Sequence, residues 1–219
     1  MINETIYSDY KTRLMEGNRS ECMNIVKNLL NKNLPVRDIY VSVFQRSLYD
    51  IGALWETNKI SVAVEHLCTS ITEGLISLTY PHVFAAEHIG KKVVITCTPG
   101  ENHQVGARIV ADYFELNGWN SFFLGPNTPY DTLADYIHKN NPDLLAVSLS
   151  VFFHLNSVRD LVTNVSKEFP DLKIIVGGQG FNWGGDNAFV SLKNVQVVKN
   201  LDELDAKILK IKNNESQCK

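Results

Sequence analysis

The chain has 219 residues, enough for one large domain or two small ones, and its 44% hydrophobic and 21% charged residues are an ordinary globular composition. The net charge is −3, and lysine and arginine are scattered rather than clustered, so we expect no nucleic-acid-binding surface. We also expect no signal peptide and no membrane span, because the start of the chain is polar and no stretch is long and apolar enough. The cysteines are widely spaced, which is typical of reduced thiols in a cytoplasmic protein.

Residues 1–85 show a helical pattern, with apolar residues recurring at intervals of three and four positions. Asn18 or Ser20 can cap a helix that begins near Glu21, and Asn58-Lys59 interrupts the pattern before a second long helical stretch. Pro81 is expected to end the helical bundle, and residues 85–92 are expected to form a linker. The pattern therefore predicts a cap made of a four- or five-helix bundle.

Residues 90–213 alternate between short β-rich runs and helical stretches. This alternation predicts an α/β domain with a five-stranded parallel sheet in a flavodoxin-like, doubly wound order, also described as Rossmann-like. The expected strands are Val93–Thr96, Ser121–Leu124, Leu144–Leu149, Ile174–Val176 and Val195–Val198. The expected helices are His103–Leu116, Tyr130–His138, Leu155–Phe169 and Leu201–Ile211. Residues 214–219 are expected to form a loose tail.

Three loops at the carboxyl ends of these strands carry unusual residues, and ligands bind at that edge in doubly wound sheets. A metal-binding imidazole needs its second nitrogen held by a carboxylate or hydroxyl, for which Glu101 and Ser148 are candidates. The glycines allow the backbone to approach a large flat or threaded ligand closely. Each feature alone is also compatible with an ordinary polar loop or turn. The residues are Glu101, His103 and Gly106 after the first strand, Ser148 and Ser150 after the third, and Gly177 and Gly178 after the fourth.

Taken together, these motifs resemble the cobalamin-binding domain of methionine synthase, corrinoid methyl-carrier proteins and cobalamin mutases. That family has Asp-x-His-x-x-Gly, then Ser-x-Leu, then Gly-Gly, and this chain has Glu101 in place of the aspartate and Ser150 in place of the leucine. The resemblance covers about residues 90–213. It implies that His103 displaces the dimethylbenzimidazole base as the lower axial ligand of cobalt. It also implies that the freed nucleotide tail enters the sheet core past Ser148, Ser150 and the Gly177-Gly178 turn.

The helical part narrows the class further. Trp55 is followed, after nine intervening residues, by Glu65-His66, and this spacing resembles that of CarH-type cobalamin-dependent photoreceptors. The resemblance implies that Trp55 covers the upper face of the corrin and that Glu65 contacts the adenosyl group of adenosylcobalamin. It implies that His66 coordinates cobalt after light breaks the cobalt–carbon bond. Without the downstream motif, Trp55 would be interpreted as a core residue and Glu65-His66 as an exposed helical pair.

The resemblance thus predicts a cobalamin-binding light sensor that acts as a switch and not as an enzyme. Because the helical pattern begins near the start of the chain, without a preceding winged helix-turn-helix, the expected partner is a protein effector or another copy of the chain, not nucleic acid or a membrane. A bilin such as biliverdin, bound noncovalently as in photocobilins, is a second cofactor that the resemblance allows. Two alternatives stay open. A corrinoid methyl carrier would need an accessible upper face, and a plain flavodoxin-like response module would leave the His103 motif unexplained.

Overall fold

The computed structural model describes the backbone of residues 2–216 and the side chains of residues 2–209. The chain divides into two compact units, Met1–Ala85 and Ala86–Lys219. The tail expected over residues 214–219 overlaps the last helix, which extends to Ser216, and residues 217–219 lie outside the described residues. Within the described residues, no helix is both long and apolar enough to cross a membrane.

The first unit is helical, as predicted. A π-helical segment, Tyr40–Gln45, joins α3 to α4 without a break, and a 3₁₀ turn, Ser77–Thr79, joins α5 to α6. In the described part of this unit there are therefore four continuous helical segments: α1, α2, α3 to α4, and α5 to α6. The bounds are α1 Glu4–Met15, α2 Arg19–Asn31, α3 Val36–Ile39, α4 Arg46–Glu56, α5 Val62–Ile76 and α6 Tyr80–Val83.

Short polar side chains define several helix ends in this unit. The Asn18 side chain accepts a hydrogen bond from the Glu21 N–H at 3.2 Å and caps α2. Asn33 and Asn58 adopt the left-handed conformation, with φ of 54° and 55°, where a helix stops. The prediction that Pro81 ends the bundle is wrong. Pro81 lies in the first turn of α6, where its missing N–H leaves no helical hydrogen bond unmade.

A polar cluster ties α1 to α4, the helix that carries Trp55. The carboxylate of Asp50 accepts a hydrogen bond from the Tyr7 hydroxyl at 2.6 Å and pairs with Lys11 at 2.7 Å. The guanidinium of Arg46 lies 3.7 Å from the centre of the Tyr7 ring and forms two hydrogen bonds with Glu4, at 2.7 and 3.0 Å. These contacts fix the position of α1 against α4, although the paired residues are more than thirty-five positions apart in the sequence.

The second unit is the predicted α/β domain. Its five strands are all parallel, in the order β2-β1-β3-β4-β5, which is the flavodoxin-like order expected from the sequence. The strands are β1 Lys92–Cys97, β2 Asn120–Gly125, β3 Leu144–Ser148, β4 Lys173–Gly177 and β5 Val195–Val198. The helices are α7 Val105–Leu116, α8 Tyr130–Asn140, α9 Leu155–Glu168 and α10 Leu201–Ser216.

Two differences from the predicted bounds affect the site. The first helix of the domain begins at Val105 and not at His103, so His103 belongs to the loop between β1 and α7. Strand β3 ends at Ser148, so Leu149 belongs to the following loop. The three cysteines with described side chains, Cys22, Cys68 and Cys97, are buried free thiols.

Candidate functional site

The loops that follow β1, β3 and β4 emerge side by side at one edge of the sheet. The strand register pairs Cys97 with Ser148 and Ser148 with Gly177, so the three strands end level with one another. Side chains separated by up to about eighty residues of sequence thereby meet at the carboxyl edge, where doubly wound sheets bind their ligands. Glu101, His103, Ser150 and the Gly177-Gly178 pair all lie at this edge.

The most specific feature of this edge is a buried carboxylate that supports an exposed histidine. Glu101 is only 1% exposed, whereas the His103 side chain is 46% exposed. One carboxylate oxygen accepts hydrogen bonds from His103 Nδ1 and, at 3.0 Å, from the His103 backbone N–H. The other accepts from the Val151 N–H at 2.9 Å. With its proton on Nδ1, the imidazole would present Nε2 to a metal ion.

The same contacts keep the carboxylate charged. Burial is the largest single influence on Glu101 and acts to raise its pKa. The hydrogen bonds from the His103 ring and N–H, the electrostatic attraction of His103 and the hydrogen bond from the Val151 N–H together outweigh burial, so the pKa of Glu101 lies below its ordinary value. An ionised Glu101 increases the basicity of the imidazole, which favours binding to a metal ion. The glutamate in place of the usual aspartate therefore reaches His103.

The two serines contribute differently from what the sequence predicts. Ser148 acts through its backbone carbonyl, which accepts hydrogen bonds from the Thr98 N–H at 2.9 Å and the Thr98 hydroxyl at 2.8 Å. The Ser150 hydroxyl donates to the carbonyl oxygen of His103 at 3.2 Å. Ser150, and not Ser148, therefore supplies the hydroxyl that contacts His103, and it binds the backbone rather than the imidazole.

The glycines fall into two groups. A Cβ atom on Gly178, where φ is 113°, would lie 2.3 Å from the Leu149 carbonyl oxygen, and one on Gly177 would lie 2.5 Å from the Val198 carbonyl oxygen. These two glycines are required by the close approach of neighbouring strands and loops. A Cβ on Gly106, in the first turn of α7, would meet nothing within 4 Å. Gly106 is therefore not required by packing within the chain, and the space beside it, next to the His103 loop, is open.

Sequence reasoning missed the contribution of the loop after β2. Asn127 in this loop has φ of 56°, and its side chain accepts a hydrogen bond from the Gly100 N–H at 3.1 Å and donates one to Asn102 Oδ1 at 3.0 Å. The missed signal was Gly125-Pro126-Asn127, a turn sequence that ends a strand on the same edge. On the other side, a Cβ on Gly100 would lie 3.4 Å from Cε1 of His154.

The other predicted site residues lie in the first unit, on the α4–α5 pair of helices. Trp55 is in the last turn of α4 and is 43% exposed, which argues against a role as a core anchor. Glu65 lies in the first turn of α5, largely buried, and accepts a hydrogen bond from the Thr69 hydroxyl at 3.0 Å. The His66 side chain is 72% exposed, with Nε2 3.7 Å from a Glu65 oxygen. That these three residues share one cofactor with His103 stays a prediction.

The second unit is thus a flavodoxin-like ligand-binding domain whose ligand edge presents a carboxylate-supported histidine, and a helical domain precedes it. Residues 91–189 match the family described as "B12 binding domain", and residues 6–79 match a second family with the same description. Each of the two units thus contains a match to a B12-binding domain, and the two matches together span well over half of the chain. The prediction of a CarH-type cobalamin-binding module is confirmed at this level.

Similar proteins agree with this assignment. The chain is 26% identical over 147 residues to the HTH-type transcriptional repressor CarH of Myxococcus xanthus, covering 66% of this chain and 48% of the repressor. It is 22% identical over 122 residues to the repressor CarA of the same organism, covering 56% of this chain and 42% of that protein. The chain thus spans less than half the length of these relatives. A solved structure of the Methanosarcina barkeri monomethylamine corrinoid protein has the same fold, with a TM-score of 0.83, 16% identity, and coverage of 96% of this chain and 100% of that one.

Proposed function

We propose that this chain is a light-sensing cobalamin module that holds adenosylcobalamin base-off, with His103 as the lower axial ligand of cobalt. When bound, adenosylcobalamin supplies a cobalt–carbon bond that light can break. The chain acts in this proposal as a switch and not as an enzyme. Its output is a change in contact with a protein effector or with another copy of the chain.

The observation that carries the proposal is the buried Glu101 carboxylate held against His103 Nδ1. Burial of a carboxylate is costly unless its oxygens are hydrogen-bonded, and the Glu101 oxygens accept from His103 and from the Val151 N–H. A chain that used His103 only as a polar loop residue would not need this arrangement. The open space at Gly106, beside the His103 loop, supports the same use of the edge.

The first unit supplies the proposed switch. A ligand drives a conformational change only through contacts that differ between the two states. In the dark state Trp55 and Glu65 would contact the adenosyl group, and in the light state His66 would bind the vacated upper position of cobalt. The exposure of Trp55 and His66 supports these roles, because both side chains are accessible to a ligand.

A bilin such as biliverdin is proposed as a second, noncovalent chromophore. The three described cysteines are buried, so a thioether link to any of them would require the fold to open. Two of the similar proteins are HTH-type repressors, and the chain covers less than half of each. The absence of direct nucleic-acid binding therefore stays a prediction.

The test is reconstitution with adenosylcobalamin, followed by absorption spectra before and after green light. We expect His103→Ala to lose the base-off dark complex, and His66→Ala to keep the dark spectrum but change the illuminated one. His82→Ala is the matched control, because His82 is another exposed histidine of the first unit, and it should behave like the unaltered protein. Added biliverdin should produce a new red absorption band.

Three outcomes would contradict the proposal. The dark complex could fail to form, or the spectra could be unaffected by both His66→Ala and His103→Ala. Alternatively, the protein could retain methylcobalamin stably and transfer its methyl group to a thiol, which would favour a corrinoid methyl carrier. Absence of a red band would remove the bilin from the proposal and leave the cobalamin part intact.

A further inference from the structure

The loop that carries His103 is held from two sides. Residues 98–104 lie between the loop after β3 and the loop after β2. On the β3 side, the Val151 N–H donates to Glu101 and the Ser150 hydroxyl donates to the carbonyl oxygen of His103. On the β2 side, one side chain, Asn127, makes the contacts. Its amide oxygen accepts from Gly100 and its amide nitrogen donates to Asn102.

The segment that Asn127 holds includes a glycine in the left-handed conformation, next to Glu101. Gly100 has φ of 81°, a conformation that glycine adopts without strain. A glycine also allows a loop many other backbone conformations, so ordering the loop in one of them costs more entropy. Asn102 is exposed and immediately precedes His103. Binding to a metal ion is strongest when the ligand side chain is already ordered, because the entropy of ordering is then not lost on binding.

We infer that Asn127 is a positioning residue for cobalt coordination, which orders the Gly100–Asn102 segment so that His103 is preset for the metal. This inference rests on the proposed role of His103 as the lower ligand. Among the described residues, the Asn127 side chain forms hydrogen bonds with Gly100 and Asn102 and not with His103. Its own left-handed backbone conformation is one that glycine also adopts, so glycine can replace it without backbone strain.

Three variants separate the contributions of the side chain. Asn127→Gly removes both hydrogen bonds and keeps the backbone conformation. Asn127→Asp keeps an acceptor for the Gly100 N–H and loses the donor to Asn102. Asn102→Ala removes only the bond between the two asparagines and keeps the Gly100 contact.

The experiment uses the full chain and cobinamide, a corrinoid without the nucleotide tail, so that binding depends on the lower ligand and not on the tail. The affinity is measured by absorption, and nitrogen coordination by electron paramagnetic resonance of the cobalt(II) form. Protein labelled with ¹⁵N-histidine identifies a histidine ligand, because the superhyperfine pattern changes with the nitrogen isotope. Amide hydrogen exchange of Gly100 is measured separately in the cofactor-free protein.

We expect Asn127→Gly to bind cobinamide about fivefold more weakly, with a smaller histidine-coordinated fraction, because two exposed hydrogen bonds each contribute modestly. We expect Asn127→Asp to restore most of the affinity and Asn102→Ala to lose about twofold. The Gly100 amide should exchange faster in Asn127→Gly while the urea midpoint of the domain stays the same. If Asn127→Gly does not fold, the decisive comparison is of Asn127→Asp and Asn102→Ala with the unaltered protein. Both variants keep the Gly100 contact and lose the bond between the two side chains, so both should protect the Gly100 amide as the unaltered protein does and bind cobinamide about twofold more weakly.

The inference is overturned if Asn127→Gly coordinates cobinamide and protects the Gly100 amide as the unaltered protein does. It is also overturned if Asn127→Asp loses as much as Asn127→Gly. A signal insensitive to the histidine isotope in the unaltered protein would instead refute the proposed lower ligand, and the Gly100 exchange in the cofactor-free protein would still report on the positioning.

Discussion

Replacement of Glu101 tests the buried carboxylate directly. Glu101→Gln preserves the shape of the side chain but replaces one acceptor oxygen with an NH₂ donor, which would face an N–H of either His103 or Val151. Glu101→Asp keeps the charge but is one methylene shorter, so it cannot reach both partners from the same backbone position. Both substitutions act on a group that is 1% exposed, where water cannot replace the lost hydrogen bonds.

The magnitude follows from the contacts. Glu101 accepts from His103 Nδ1, from the His103 N–H and from the Val151 N–H, and hydrogen bonds to a charged group contribute roughly 1.5–3 kcal/mol each. The glutamine recovers part of this, because the cost of burying a charge also disappears. We therefore expect Glu101→Gln to lower the free energy of unfolding of the second unit by about 3 kcal/mol, and Glu101→Asp by about 1.5 kcal/mol.

The assay is urea denaturation of the cofactor-free protein, monitored by tryptophan fluorescence. All proteins compared carry Trp55→Phe and Trp183→Phe, so the signal comes from Trp119, which is fully buried in the second unit against Phe114. Glu115→Gln is the matched control, because Glu115 is also a buried carboxylate of this unit, and the Ser121 N–H donates to it at 2.7 Å. We expect it to cost about 1 kcal/mol and to leave cobinamide binding unchanged. Equal urea midpoints for Glu101→Gln and the unaltered protein would refute the reasoning, since the three donors would then not depend on the carboxylate.

Two further predictions concern the glycines and an ion pair. Gly178→Ala should destabilise the second unit by about 3 kcal/mol, because the new Cβ would lie 2.3 Å from the Leu149 carbonyl oxygen. Gly106→Ala should leave the urea midpoint unchanged or slightly raised and should weaken cobalamin binding. A lower urea midpoint for Gly106→Ala than for Gly178→Ala would contradict the open space at Gly106. The contact with Lys11, followed by that with Tyr7, lowers the pKa of Asp50, so its contribution is present above the unfolded-state pKa and is lost as the pH falls through the folded-state pKa. The Asp50 side chain is 40% exposed, so Asp50→Asn should cost only about 0.5 kcal/mol at pH 7. In thermal scans this difference from the unaltered protein should shrink as the pH falls below the ordinary pKa of aspartate.

The periodic parts of the fold could be predicted from the sequence because their signals are local. Strand β5 has the predicted bounds, Val195–Val198, and the alternation of strands and helices was sufficient to predict the parallel, doubly wound order. The Asn18 cap follows from a contact three residues away. Pro81 was misplaced because a proline is compatible with both the end of one helix and the first turn of the next, and only the packing of the chain decides between them.

The pair of Glu101 and His103 belongs to the part that the sequence by itself determined, since the two residues are two positions apart on one loop. What holds that pair was decided by the tertiary structure. Val151, Ser150 and Asn127 reach the loop across twenty-five to fifty residues of sequence, and no local pattern encodes these contacts. They exist because parallel strands in this order bring the loops after β1, β2 and β3 to the same edge, where a backbone N–H, a hydroxyl and an amide complete the hydrogen bonds of the histidine loop.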